Sequence, residues 1–214
     1  MTGMTRLSTA ALMGLALAGA GVFTANAQAN GGLPPGVYVG EPDYKGAPAG
    51  IYALDPAHAA VVARVSHIGY SYSIFRFDTV KGDLTWDPSD PARERLSATV
   101  KTASIATNVP GFAKQLAGKD YLNAAAFPQA RFVSTAFHKI DDHHAKVDGQ
   151  FTLMGKTRPL TFDVTLIGAG KGFMGAPRIG AHAEAGISPT EFGLPAMLGK
   201  TIELVIDTEF TKSK

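Results

Sequence analysis

The chain has 214 residues, with 20 basic and 18 acidic side chains, a formal net charge of +2 and no cysteine. That near-balance excludes a broad electrostatic footprint for nucleic acid and binding to anionic lipid by charge alone. Without cysteine there are no disulfides, thiolate metal sites or cysteine nucleophiles, so stability has to come from a hydrophobic core.

The first element is a targeting segment. Arg6 precedes an uncharged run from Leu7 to Ala20, and small residues lead on to Ala25-Asn26-Ala27. Charge, short apolar core and an A-x-A exit make residues 1–27 read as a secretory signal peptide cleaved near Ala27. The run is shorter than the roughly 20 residues that span a bilayer, which argues against a retained anchor. The expected location is the periplasm or the cell exterior. Residues 28–49 interleave Gly31, Gly32, Gly36, Gly40 and Gly46 with Pro34, Pro35, Pro42 and Pro48. They read as an extended linker, with a flap over a barrel mouth, through Val37, Tyr38 and Tyr44, as the alternative.

From Gly50 onward the apolar residues recur every second position. Val61, Ala63, Val65 and His67 share one face of the first stretch, while Arg64 and Ser66 share the other. The same period runs through Phe75 and Phe77, Leu84 and Trp86, then Leu96, Ala98 and Val100. It continues in Val147, Gly149, Phe151 and Leu153, in Leu160, Phe162 and Val164, and from Ile202 to Phe210. Stripes of this kind between turn residues predict antiparallel strands with one wet and one dry face. Eight strands are predicted, at 51–67, 71–87, 95–107, 131–140, 144–155, 159–168, 178–188 and 200–212. Eight long strands buried on one side need a second sheet or closure on themselves, and only closure leaves no edge exposed. The expected fold is an all-β, extended eight-stranded antiparallel barrel, comprising residues 50–214. Residues 109–126 lack the alternation and place Phe112 and Leu116 on one helical face. They predict a helical insertion between the third and fourth strands, starting near Pro110, breaking at Gly118 and lying across one barrel end.

The chemical candidates are sparse. Asp141-Asp142-His143-His144 has metal-ligand residue types, yet adjacent residues of a strand point to opposite faces, and the run reads as a solvated hairpin tip. His138 and His182 read as ordinary satisfied side chains. His67 continues the inward stripe and is a candidate polar contact inside the barrel. No nucleophile elbow, zinc motif, phosphate loop or dinucleotide motif occurs, so no catalytic or metal residues and no cofactor are assigned. The dry faces mix Phe75, Phe77, Trp86, Phe132, Phe151 and Phe162 with Ala63, Ala98, Ala136 and Gly149. That mixture is equally compatible with a cavity for one ligand and with a filled core.

Four ordered stretches resemble the YceI-like family of exported polyisoprenoid-binding proteins: Tyr52–His58 with Val65–Gly69, Ala103–Thr107, Asp120–Leu122 through Phe132, and Val147–Pro159. The resemblance covers residues 51 to about 212. It implies a lipocalin-like barrel holding an isoprenoid lipid, of polyprenyl phosphate or quinone type, as carrier or store, with transient membrane contact. The tail would lie against Val65, Phe75, Phe77, Trp86, Phe132, Phe151 and Phe162. Phe112, Leu116 and Leu122 would close one end, with His67 at the head. Two alternatives stand beside this reading: a metal-assisted enzyme using His67 with His58 or another histidine, and a structural or stress-response β protein with a packed, ligand-free core. The oligomeric state is open, a homodimer included.

Overall fold

The computed structural model describes residues 34–213; the segment read as a signal peptide, and the first residues of the linker, lie outside the described residues. Ten strands form one sheet: β1 (Gly50–His67), β2 (Ser71–Phe77), β3 (Val80–Trp86), β4 (Arg95–Lys101), β5 (Ile105–Ala106), β6 (Gln129–Lys139), β7 (His144–Leu153), β8 (Lys156–Lys171), β9 (Pro177–Ile187) and β10 (Ile202–Lys212). All pairings are antiparallel, and β10 returns to pair with β1 from Tyr52↔Lys212 to Val65↔Ile202. The sheet is therefore a closed barrel, and closure removes the unpaired edge that an open sheet of this length would present.

Ten strands make eight staves. β2 and β3 are two halves of the predicted second strand, interrupted at Asp78-Thr79, and both lie along the 18-residue β1. β4 and β5 are likewise the predicted third strand, broken at Thr102–Ser104. The freed backbone at the first break is re-satisfied, because Asp78 donates to the Ser104 carbonyl at 3.1 Å and Thr79 to the Ser104 hydroxyl at 3.1 Å. One barrel end, end A, gathers Gly50, Trp86, the β6–β7 turn and the β8–β9 turn. The opposite end, end B, gathers His67, Ser71, Ala106, the β7–β8 turn and the 188–201 connection.

Three register shifts decide which residues face inward; one lies on β8 between Leu166 and Gly168 and passes the buried side from Leu166 to Ala169. Between Leu54 and Ala59 the register of β1 against β10 shifts, so inward positions change from Tyr52 and Leu54 to Val61, Ala63 and Val65. Between Ser134 and Ala136 the register of β6 against β7 shifts as well. An extra residue on one strand swaps the faces of everything beyond it. Phe137 therefore lines the interior, while His138 turns outward to bond Asp148 at 2.9 Å. Ala136, placed by strict alternation beside Phe132, is not an interior residue. The bulge leaves the Ser134 hydroxyl to accept from the Leu96 amide at 2.7 Å.

The β7–β8 turn is tighter than the sequence suggests. Met154 and Gly155 both have positive φ, 49° and 72°, the two-residue hairpin geometry whose twist matches the strands. Lys156 to Arg158, between the two predicted strands, are consequently strand, not loop. Pro159 is tolerated because it pairs only with Gln150 of β7, before β9 begins to pair with β8 at Asp163, so its missing N–H faces an unpaired side.

The insertion between β5 and β6 is less helical than expected. α1 (Phe112–Leu116) is one short turn capped by Gly111 at φ 79°, and Pro110 precedes the cap. The following residues fold back through Leu122 N–H to the Leu116 carbonyl at 3.0 Å and Ala124 N–H to the Ala117 carbonyl at 2.9 Å. A second short helix, α2 (Pro189–Phe192), was not apparent in the sequence; it starts on proline and ends at Gly193, φ 90°. α1, α2 and the Ala196–Leu198 turn close end B with Leu116, Leu122, Phe192, Leu194 and Leu198.

Residues 34–49 include more than a linker. Tyr44 is 6% exposed and Ala47 fully buried, and both belong to the core at end A with Trp86, Leu166 and Ile179. Glu41 exchanges backbone hydrogen bonds with Ala169 at 3.2 and 2.7 Å, which fixes this segment against the end of β8. Its glycines permit the contact: a side chain at Gly46 would meet the Ala169 carbonyl at 2.9 Å.

Candidate ligand-binding cavity

The inward stripes surround a cavity of about 260 Å³, lined almost wholly by carbon. Its size is just below the range of about 300–1,000 Å³ usual for small-molecule pockets. Phenyl rings pack edge-on around the wall instead of filling the centre. Phe132 meets Phe162 at 5.0 Å and 88°, and Phe151 meets Phe192 at 5.4 Å and 71°. Such T-shaped pairs are a favoured aromatic geometry. They leave the axis of the barrel open.

Of the residues read from the sequence, Val65, Phe75, Phe77, Trp86, Leu116, Leu122, Phe132, Phe151 and Phe162 all border this cavity. Phe112 does not; it packs 6.1 Å behind Phe75, as a prop for that ring. His67 does not either. It is exposed at the last position of β1, opposite Ser71, where the stripe has run out of barrel. His58 lies nine residues back along the same strand, roughly 25–30 Å away at strand rise, so the two histidines cannot share one ion or one substrate. Gly149 is one of the small residues on the dry faces. A side chain there would meet the Phe132 ring at 2.3 Å, so Phe132 already occupies that space, whereas Ala63 and Ala98 do border the void.

The rings of His58, His138, His144 and His182 are held by surface carboxylates. His182 bonds Asp207 at 2.8 Å, which with Glu184 draws its pKa upward. Asp141 accepts from the His144 ring and from the amides of His143 and His144, and this holds its carboxyl down at about 2. Asp55, His58 and Glu209 approach closely enough to cup a cation. The Arg178 guanidinium is already bonded to Asp55 at 2.9 Å and to Glu209 at 2.5 Å, which balances the acids without a metal.

The polar feature that the sequence reading missed sits at end A. Glu94 is 1% exposed and borders the cavity. Its Oε1 accepts from the Tyr44 hydroxyl at 2.5 Å and, weakly, from the Asp87 amide at 3.4 Å. Burial pushes the Glu94 carboxyl up to about 7, against the opposing pull of the Tyr44 hydrogen bond. Burial also raises the Tyr44 phenol well above its usual value, which keeps it a donor. The Tyr44 ring lies 4.4 Å from Trp86 on one side and 4.6 Å from the Lys139 ammonium. Between Arg93 and Arg95, Glu94 looks like part of a solvated charge run. The signal that could have found it is its parity with Leu96, Ala98 and Val100.

The YceI-like domain model matches residues 52–210. Protein YceI of Escherichia coli O157:H7 is 36% identical over 160 residues, covering 73% of this chain and 83% of its own. Among solved structures, Burkholderia cenocepacia BcnA superposes with a TM-score of 0.66 at 23% identity, covering 73% of this chain and 98% of its own. A domain from Saccharophagus degradans described as polyisoprenoid-binding superposes with a TM-score of 0.56 at 12% identity, covering 76% and 98%. With the matched model spanning nearly the whole barrel, this chain belongs to the YceI-like family.

Proposed function

We propose that this chain is an exported binding protein that encloses a long apolar molecule of isoprenoid type, as carrier or store, and is not an enzyme. The observation that carries the reading is the roughly 260 Å³ carbon-lined cavity on the barrel axis. The polyisoprenoid-binding description of the Saccharophagus domain, which shares the fold, supports the ligand class. Export rests on the order of Arg6, the Leu7–Ala20 run and Ala25-Asn26-Ala27.

Hydrophobic transfer supplies the affinity, at about 0.8 kcal/mol per buried CH₂ before ordering costs are subtracted. The cavity is bounded by Tyr44 at end A and by Leu194 and Leu198 at end B, so a tail longer than the barrel axis has to displace one of these plugs. Ile68, Tyr70 and Met197 stand 82%, 89% and 78% exposed at end B. This apolar rim supports brief contact with a lipid surface during loading, for an isoprenoid lipid or a quinone alike.

Mass spectrometry of organic extracts from the purified protein tests the reading. A polyprenyl species should be recovered in a reproducible ratio to protein. A barrel that comes out empty and also rejects added geranylgeraniol and ubiquinone refutes it.

A further inference from the structure

Among the described residues, three side-chain atoms are buried without a hydrogen-bond partner: Trp86 Nε1, Glu94 Oε2 and Thr208 Oγ1. All three belong to residues bordering the one carbon-lined cavity. A buried polar atom left unpaired costs about 1–3 kcal/mol, and native folds carry few of them. Three on a single cavity whose accessible surface is almost wholly carbon is a pattern suited to a ligand that brings its own polar group.

Two of the three sit together. Trp86 ends β3 and Glu94 precedes β4, so they lie on neighbouring staves at end A, and Tyr44 joins them by packing at a 52° tilt against the indole and donating to the carboxylate. The chemistry of the pair is specific. An indole N–H only donates, and an ionised carboxylate oxygen only accepts. A group satisfying both must accept from Trp86 and donate to Glu94, which is what a hydroxyl does. A phosphate brings no donor for Glu94 when ionised, and it would place like charge beside a buried carboxylate. Lys139, His143 and His144 lie near this end, but Lys139 is spent on the Tyr44 face and on Asp142 at 2.6 Å, and His144 on Asp141. A carbonyl head alone would satisfy the indole and leave Glu94 unanswered until it takes a proton.

We propose that Trp86 Nε1 and Glu94 Oε2 form a head-group subsite at end A that takes an uncharged hydroxyl, that of an isoprenoid alcohol or a hydroquinol, and selects against a phosphate head. The inference rests on the reading of the barrel as a lipid site and specifies which end holds the head. The tail then runs from end A towards Phe132 and Phe162, and Thr208, one inward position before Phe210 on β10, offers a further partner.

The test measures displacement of the uncharged probe N-phenyl-1-naphthylamine by three competitors: geranylgeraniol, geranylgeranyl phosphate and the headless hydrocarbon squalene. Competition is run at pH 8 on the wild-type chain and on Glu94→Gln and Trp86→Phe. The alcohol should bind the wild type about tenfold more tightly than the phosphate. Trp86→Phe should weaken the alcohol about fivefold or more without moving squalene. Glu94→Gln removes the charge and should narrow the alcohol–phosphate gap several-fold. The alcohol also enhances or quenches the fluorescence of Trp86, the chain's single tryptophan, whereas squalene leaves it nearly unchanged. If the phosphate binds the wild type as tightly as the alcohol, or if neither variant changes the alcohol's affinity relative to the phosphate and squalene, the subsite is overturned while the lipid cavity stands. If none of the three displaces the probe, the cavity reading fails and the subsite with it.

Discussion

Replacing Glu94 by glutamine keeps the shape of the side chain and removes its charge. In the unfolded chain a glutamate ionises near 4.5, whereas burial raises Glu94 to about 7 in the native barrel. Between those values the folded protein holds a proton that the unfolded chain has released. Stability therefore falls as pH rises through the window, is highest below about 4.5 for this group, and levels off above about 7. Converted at about 1.4 kcal/mol per pH unit and discounted for solvent screening beside the cavity, the loss across the window is about 2 kcal/mol. For a domain of this size that is a fall in Tm of about 4–8 °C. Urea or thermal unfolding of wild type and Glu94→Gln at pH 5, 6, 7 and 8 should show the wild type losing stability while the variant holds its own. His182, whose raised pKa also favours the fold below about 6.5 and is lost as pH rises past its folded value, is present in both proteins and cancels in the difference. Parallel profiles for the two proteins would refute the assignment of a buried, proton-holding carboxyl.

Tyr44→Phe removes the phenol that bonds Glu94 at 2.5 Å; denaturation at pH 8 should show a loss of about 1.5–3 kcal/mol, and a smaller one at pH 5, where Glu94 is neutral. Gly149→Ala puts a methyl against the Phe132 ring and the Val133 carbonyl, at 2.3 and 2.5 Å; overpacking of this kind costs about 1–3 kcal/mol, read as a lower urea midpoint at unchanged m-value. Ala98→Phe fills part of the void from β4; calorimetric titration with geranylgeraniol should show binding lost or weakened at least tenfold while the circular dichroism spectrum stays that of the wild-type barrel. Full affinity in that variant would place the ligand elsewhere.

The barrel was legible from residues 50 to 212 because an antiparallel strand needs only local alternation to mark its buried face. Long stripes such as Val147–Leu153 and Ile202–Phe210 left closure as the one way to bury them all without an open edge. Nine of the eleven residues picked out as wall or plug do border the cavity for the same reason. His67 failed because a stripe carries no mark of where the barrel stops, and Phe112 because a short apolar helix does not say which side of a ring it supports. The bulge at Ser134–Ala136 was invisible too: one extra residue in a backbone ladder has no side-chain signature, yet it exchanges Phe137 for Ala136 on the interior face.

The amino-acid order alone determined that alternating stripes would form antiparallel strands and that a barrel was the economical closure, since both follow from local periodicity. Tertiary structure alone decided that Tyr44 reaches across 50 residues to Glu94, turning an apparent linker into a plug. It also decided that a glutamate flanked by two arginines faces hydrocarbon, not water. Burial is a property of what the rest of the chain brings to a position, and no window of neighbouring residues contains it.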